Sequence, residues 1–154
     1  MDVGAVGPGQ WRAWRRVRRA ALADAPEAFG TPLAEWSGAN DTEQRWRARL
    51  AGVPLNLLLS AGGAPVGMVS ATAPDDDGRV WLISLWVAPG ARGLGVGDEA
   101  VRQVLAWAAA HHPGSQVALS VRTWNEAAVR LYRRHGFTDA GPSPEDPDER
   151  LMLR

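Results

Sequence analysis

The sequence predicts one α/β domain built on a mixed sheet, and three observations carry that reading. The chain has 154 residues, 45% of them hydrophobic, which suits one core and leaves no length for a second. Apolar runs of strand length alternate with stretches of helical periodicity, with no internal repeat or low-complexity tract. The third observation is Val80 to Ala110, where the apolar run VWLISLWV leads into APGARGLGVG and then the helical pattern DEAVRQVLAWAAA. That is a buried strand, a glycine-studded loop and a helix.

The remaining elements follow in chain order. Met1 to Gly9 is poor strand material. Gln10 to Ala23 reads as a helix, with Trp11, Trp14, Val17 and Ala21 at helical spacing on one side. Its arginines form a solvated opposite face that Asp24, Glu27, Glu35 and Glu43 are placed to neutralise. Asp41 or Thr42 caps a second helix, which turns Trp46 and Leu50 inward and stops at Gly52 and Pro54. Leu55 to Ala61 and Val66 to Ala73 read as strands joined by the turn Gly62 to Pro65. Asp75-Asp76-Asp77-Gly78 ends in a hairpin signal and reads as a turn before it reads as a metal site. Val117 to Val121 is a short buried strand, and Asn125 to His135 a helix closed by Gly136 as a left-handed C-cap. Phe137 starts an extended piece, Gly141 to Asp148 is a loop, and Arg150 to Arg154 is a final strand.

Composition excludes several classes of function. Seventeen basic and seventeen acidic residues cancel, so no overall field draws the chain to nucleic acid or a membrane, and any cationic site is local. Cysteine is absent, which removes disulfides, thiol nucleophiles and thiolate metal sites. Every basic residue is arginine, so no lysine serves as nucleophile or completes a Walker loop. His111-His112 precedes Pro113 at a helix end, where such residues are favoured anyway, so no metal is expected. No stretch approaches the roughly 20 apolar residues of a membrane span, and the expectation is a cytoplasmic domain.

The glycine loop is the sharpest chemical signal. Gly95 and Gly97 fall where the first helical turn forms, and each weakens helix there by roughly 0.5–1 kcal/mol relative to alanine. An anion at the helix N-terminus compensates that cost, because unpaired N–H groups point at it and missing Cβ atoms let it come close. A dinucleotide fingerprint fails, since Asp98 stands where its third glycine belongs, and a P-loop fails for want of Gly-Lys-Ser/Thr. What remains is R-x-x-G-x-G, namely Arg92, Gly95 and Gly97, directly after Trp86-Val87-Ala88-Pro89.

This pattern, followed downstream by NEAAVRLYRRHGF from Asn125 to Phe137, resembles the GNAT superfamily of acyl-CoA-dependent N-acetyltransferases. The segment ALADAPEAFG, Ala21 to Gly30, is similar to the N-terminal helix region of many members. The resemblance implies a mixed, mostly antiparallel sheet of six to seven strands flanked by about four helices, with acetyl-CoA as cosubstrate. It implies that backbone N–H groups of Arg92, Gly93, Leu94, Gly95, Val96 and Gly97 hold the coenzyme pyrophosphate. Leu85, Trp86 and Val87 would pair with the pantetheine arm as an added strand, one N–H polarising the thioester carbonyl. Asn125, Ala128 and Tyr132 share a helix face at i, i+3 and i+7. By resemblance Asn125 contacts the coenzyme and Tyr132 protonates the departing thiolate, a role that suits a phenol with pKa near 10.

Three places depart from the family pattern. Val80 to Pro89 holds no carboxylate, and Trp81 stands about where many members place a glutamate base. The amine's proton then leaves through water or another base, with Ser84 as the candidate to orient that water and Glu27, Glu35 or Asp75 to Asp77 as nearby acids. Asp98 and Glu99 open the helix beside the expected phosphate, which requires their side chains to point away. The N-terminus leaves room for a very short first strand at most. The predicted activity is acetyl transfer from acetyl-CoA directly to a primary amine of a small molecule or peptide. A noncatalytic acyl-CoA-binding sensor is the alternative that the acid-free strand favours, and a basic-helix nucleic-acid module the third. The acceptor mouth is expected at Pro26 to Trp36, Pro74 to Gly78 and after Phe137, with Trp36 stacking on the acceptor; its identity, and whether the chain forms a homodimer, are left open.

Overall fold

The computed structural model describes residues 1–29 and 31–154. Gly30, the last residue of the ALADAPEAFG segment, lies outside them. The elements run β1 (Asp2–Ala5), α1 (Trp11–Asp24), α2 (Glu43–Gly52), β2 (Leu55–Ala61), β3 (Ala64–Ala71), β4 (Arg79–Val87), α3 (Val96–His111), β5 (Gln116–Arg122), α4 (Glu126–Arg134), β6 (Thr138–Pro142) and β7 (Glu149–Leu153). The sheet has seven strands in the order β1-β2-β3-β4-β5-β7-β6. Among the described residues only the β4–β5 pair is parallel. This is the mixed, mostly antiparallel α/β sheet that the sequence predicts. Among the described residues no helix is long and apolar enough to cross a membrane.

The two sheet faces carry separate cores. Leu55, Leu57 and Leu59 of β2 alternate onto one face and pack with Val69 of β3 and with Val101 and Val104 of α3. Leu58 points the other way, to Trp14 and Val17 of α1 and Trp46 and Leu50 of α2. Thr42 caps α2, its hydroxyl accepting from Arg45 N at 3.3 Å. Asp41 instead ties α1 to α2, accepting from Arg15 Nε and Trp46 Nε1, both at 2.7 Å. Those bonds and the Arg15 and Arg19 charges hold its carboxyl well below the usual range.

The N-terminus forms the very short first strand that the sequence left room for, the four residues of β1, because the open edge of β2 supplies a hydrogen-bonding partner that needs little from side chains. The structure corrects other expectations. The arginine face of α1 is served by Asp41 from the start of α2, and Asp24 instead pairs with Arg92. Nor is that face fully solvated, since Arg18 is buried. Finally, β6 extends to Pro142, into the predicted loop, through pairing with Arg150.

One irregularity positions everything that follows. Met68 pairs with Trp86 but Ser70 with Ile83, so two residues of β3 oppose three of β4. Ser84 sits at that bulge with φ +59°, a rare conformation for a residue with a Cβ. Side-chain parity inverts there. Val80 and Leu82 belong to the core under α3, whereas past the bulge Leu85 and Val87 pack against it and Trp86 turns to the opposite core.

Candidate active site

β4 and β5 pair only through Arg79–Gln116, Val80–Val117 and Trp81–Ala118. Beyond Trp81 they part, leaving the β5-facing edge of β4 without a strand partner up to Val87. The gap opens into a cleft of about 730 Å³ between the start of α3 and α4, lined among others by Leu85, Trp86, Val87, Gly95, Asn125 and Tyr132. Residues from the two separate sequence motifs thus meet at one place.

The glycine loop adopts the geometry that an anion site requires. Gly93 and Gly95 have φ +79° and +85°, and Gly95 is the N-cap of α3. None of the backbone N–H groups from Gly93 to Asp98 donates to a protein acceptor among the described residues. Six donors at a helix N-terminus are therefore available to a ligand. The Arg92 N–H is not among them, since it donates to Pro89 O at 3.4 Å. Arg92, Gly93, Val96 and Gly97 line the cleft with Gly95, while Leu94 is exposed and outside its lining.

The acidic residues beside this loop are engaged by partners of their own, although Asp98 remains in the cleft lining. Asp98 meets His135 Nε2 at 2.8 Å and Arg134 Nη2 at 3.2 Å. Burial alone would raise its pKa, but those hydrogen bonds and the Arg134 charge together hold it below the usual value. Glu99 accepts from Gln103 at 2.9 Å and Arg102 at 3.0 Å along its own helix.

A clamp that sequence reasoning missed fixes the loop from the other side. Asp24, at the end of α1, accepts from Trp86 Nε1 at 3.0 Å and from Arg92 Nη2 at 2.5 Å, and Arg92 Nε donates to Val87 O at 3.2 Å. The Trp86 bond, opposed by burial and aided by Arg92, lowers the pKa of Asp24. Asp24 is thus a poor proton acceptor at neutral pH. Its partners lie 62 and 68 residues away, beyond any local sequence signal.

On α4, Asn125 is the N-cap: its Oδ1 accepts from Ala128 N at 3.2 Å, leaving the amide NH2 for the cleft it lines. Tyr132 is 7% exposed, packs edge-on against Phe137, and its hydroxyl has no hydrogen-bond partner among the described residues. Burial pushes its pKa well above the usual phenol value. It therefore stays protonated across the neutral range.

Other expected residues fall elsewhere. Ser84 is not part of the cleft lining; its hydroxyl lies 3.5 Å from Arg49 Nη2. Of the acids named for proton removal, Glu27 lines the cleft, whereas Glu35 and Asp75 to Asp77 do not. Asp75 serves its turn, accepting from Asp77 N, Arg79 N and Trp81 Nε1. Trp36 is stacked on Trp46 at 4.3 Å and covered by Arg45, so its ring is already occupied. Phe29 is an addition to the cleft wall from the Ala-Phe end of the ALADAPEAFG segment.

The geometry has counterparts among solved proteins. The chain superposes with a TM-score of 0.77 on a GNAT-family acetyltransferase of Streptococcus pneumoniae, at 21% identity over 99% of this chain and 97% of that one. It matches yncA of Salmonella typhimurium, solved with its cofactor acetyl-CoA, with a TM-score of 0.76 at 17% identity over 100% and 92%. It matches the paia N-acetyltransferase of Thermoplasma acidophilum, in complex with coenzyme A, with a TM-score of 0.75 at 13% identity over 100% and 99%. At these identities the likeness is one of fold. The sequence itself matches the model of the acetyltransferase (GNAT) family over residues 14–137, from the tryptophan of α1 to the phenylalanine after α4, and the chain is therefore an acetyltransferase of the GNAT family.

Proposed function

We propose that the chain transfers an acetyl group from acetyl-CoA directly to a primary amine of a small molecule or peptide. One observation carries this: the row of unbonded N–H groups from Gly93 to Asp98 and the hydroxyl-bearing Tyr132 line one cleft where β4 leaves β5. The residues present suit the coenzyme. Gly95 supplies the left-handed turn, Gly97 removes a Cβ that would crowd Leu131 at 3.1 Å, and the unpaired β4 edge offers backbone groups to an extended arm.

Bound acetyl-CoA supplies an activated acetyl thioester. The chain's residues do the rest. Backbone N–H groups at the helix start hold the negative charge of the pyrophosphate, and Asn125 adds an amide donor. A β4 N–H facing the cleft stabilises charge on the acyl oxygen, a contribution of about 2.7–4 kcal/mol in enzymes where it has been measured. Tyr132 Oη holds the proton that the leaving sulfur needs. The amine adds to the acyl carbon, the C–S bond then breaks as Tyr132 protonates the sulfur, and the amine's surplus proton goes to water, from which Tyr132 regains its own, because β4 carries no carboxylate and Asp24 is held ionised by its partners.

Turnover of acetyl-CoA against a panel of primary amines tests this, read by thiol release and acetylated product. Coenzyme binding without product from any amine sinks the catalytic reading and leaves an acyl-CoA sensor.

A further inference from the structure

Ser120 Oγ is a cleft hydroxyl that neither coenzyme binding nor thiolate protonation uses. It lies on β5, two residues beyond Ala118, where the pairing with β4 ends, so it stands at the narrow end of the gap between the strands. It is exposed and lines the cleft. Its neighbours Leu119 and Val121 are buried in the core under α3, and strand alternation therefore sends the Ser120 side chain to the opposite face of the sheet. Arg122 shares that face, and its Nε donates to Glu27 O at 2.8 Å. Ser120 thus looks toward the side of the cleft walled by Glu27 and Phe29, after α1.

The hydroxyl is held from behind. Ser120 Oγ lies 3.0 Å from Ser143 Oγ, its one side-chain hydrogen bond among the described residues. Ser143, just after β6, is 6% exposed and fixed in its turn: its N–H donates to Glu149 O at 2.8 Å and its Oγ accepts from Glu145 N at 3.4 Å. A serine hydroxyl has one proton and two lone pairs. Whichever of the two hydroxyls donates to the other, Ser120 Oγ keeps at least one lone pair for the gap. The apex of the cleft therefore carries a hydrogen-bond acceptor that no protein donor occupies.

We propose that Ser120 Oγ accepts an N–H of the attacking amine, and that Ser143 is the positioning residue that fixes its direction. This rests on the transfer to a primary amine proposed above. An arm that starts at the N-terminus of α3 and follows β4 back from Val87 to Leu85 brings its acyl end to the apex where Ser120 stands. Seating one N–H of the neutral amine on Ser120 aims the nitrogen lone pair at the acyl carbon. The serine takes a hydrogen bond and no proton. As the C–S bond breaks, the Tyr132 proton passes to sulfur, and the surplus proton of the amine goes on to water. Ser120 thereby does the orienting that Ser84, outside the cleft lining, cannot do.

Two coenzyme A thioethers test this without turnover. One carries an N-methylacetamide group joined to sulfur through its methylene carbon, the other the corresponding methyl ester. The amide presents an N–H where the attacking nitrogen would bond, and the ester presents none. The amide-to-ester affinity ratio, from calorimetric titration, is expected to be about fivefold higher in the wild type than in Ser120→Ala, the size of one neutral hydrogen bond. Ser143→Ala should give a ratio about twofold below the wild type. With a primary amine as substrate, S120A should lose about tenfold in kcat/KM while KM for acetyl-CoA holds. Equal ratios in the wild type and S120A overturn the contact and leave transfer to an amine standing. Failure of the wild type to bind coenzyme A overturns both. An S143A ratio equal to that of the wild type overturns the part given to Ser143. Should S120A melt far below the wild type with its ratio unchanged, the serine is structural and the proposal fails.

Discussion

His135 Nε2 lies 2.8 Å from the Asp98 carboxylate, so the first acid of α3 is bound to the end of α4 and bridges the two helices that flank the cleft. Asp98→Asn is expected to lower unfolding free energy at pH 7 by about 1 kcal/mol. Because the folded pKa is depressed, this contribution is present above the unfolded value near 3.9 and fades as pH falls through the folded one. Urea denaturation of both proteins from pH 7 to pH 3 checks it. A difference that persists undiminished at pH 3 contradicts the ion-pair account.

Tyr132→Phe removes the proposed acid and little volume. Acetyl transfer should fall about 100-fold while coenzyme affinity holds, since general acids contribute on the order of 10²–10⁴. The raised pKa keeps the hydroxyl protonated, so the wild-type rate should show no loss of this proton up to pH 10. An unchanged rate in the variant removes Tyr132 from the mechanism.

Gly95 and Gly97 should respond differently to alanine. At Gly95, φ +85° places a Cβ in the left-handed region, costing about 1–2 kcal/mol, and coenzyme affinity should drop with stability. At Gly97 the Cβ meets only the tip of Leu131 at 3.1 Å, while helix propensity improves by roughly 0.8–1 kcal/mol. Stability of Gly97→Ala should therefore stay close to wild type. Thermal melts with and without coenzyme A separate the two effects.

Gly67→Ala tests the sheet beneath the loop. A Cβ there would lie 2.9 Å from the Trp86 carbonyl oxygen and 3.0 Å from Val96 Cγ1, and the backbone contact cannot yield cheaply. A loss of about 1–3 kcal/mol is expected by chemical denaturation. Coenzyme affinity should weaken too, because both neighbours border the cleft.

Much of the fold was legible in the chain because the informative patterns are local. Helical spacing of Trp14, Val17 and Ala21 predicts the buried side of α1, and the loop from Arg92 to Gly97 follows its strand directly. Asn125 announces its helix as a cap. The remainder depends on distant encounters. Nothing in the residues around Asp24 says that Trp86 and Arg92 will meet it, and nothing around Arg18 says that a residue amid other arginines goes inside. The bulge at Ser84 was invisible for a different reason. VWLISLWV is apolar at every position but Ser84, so the run lacks the alternation that would betray a skipped beat.

The short seam between β4 and β5 gives the sheet a mechanical character. Three residue pairs join a four-stranded half to a three-stranded half, and the rest of that boundary is unfilled backbone. A ligand lying along Leu85 to Val87 would knit the halves together as a temporary strand. Amide exchange in those residues and in Ser120, which faces the gap, should then slow together on coenzyme binding, so that the protein is stiffest when it is loaded and loosens to let its product go.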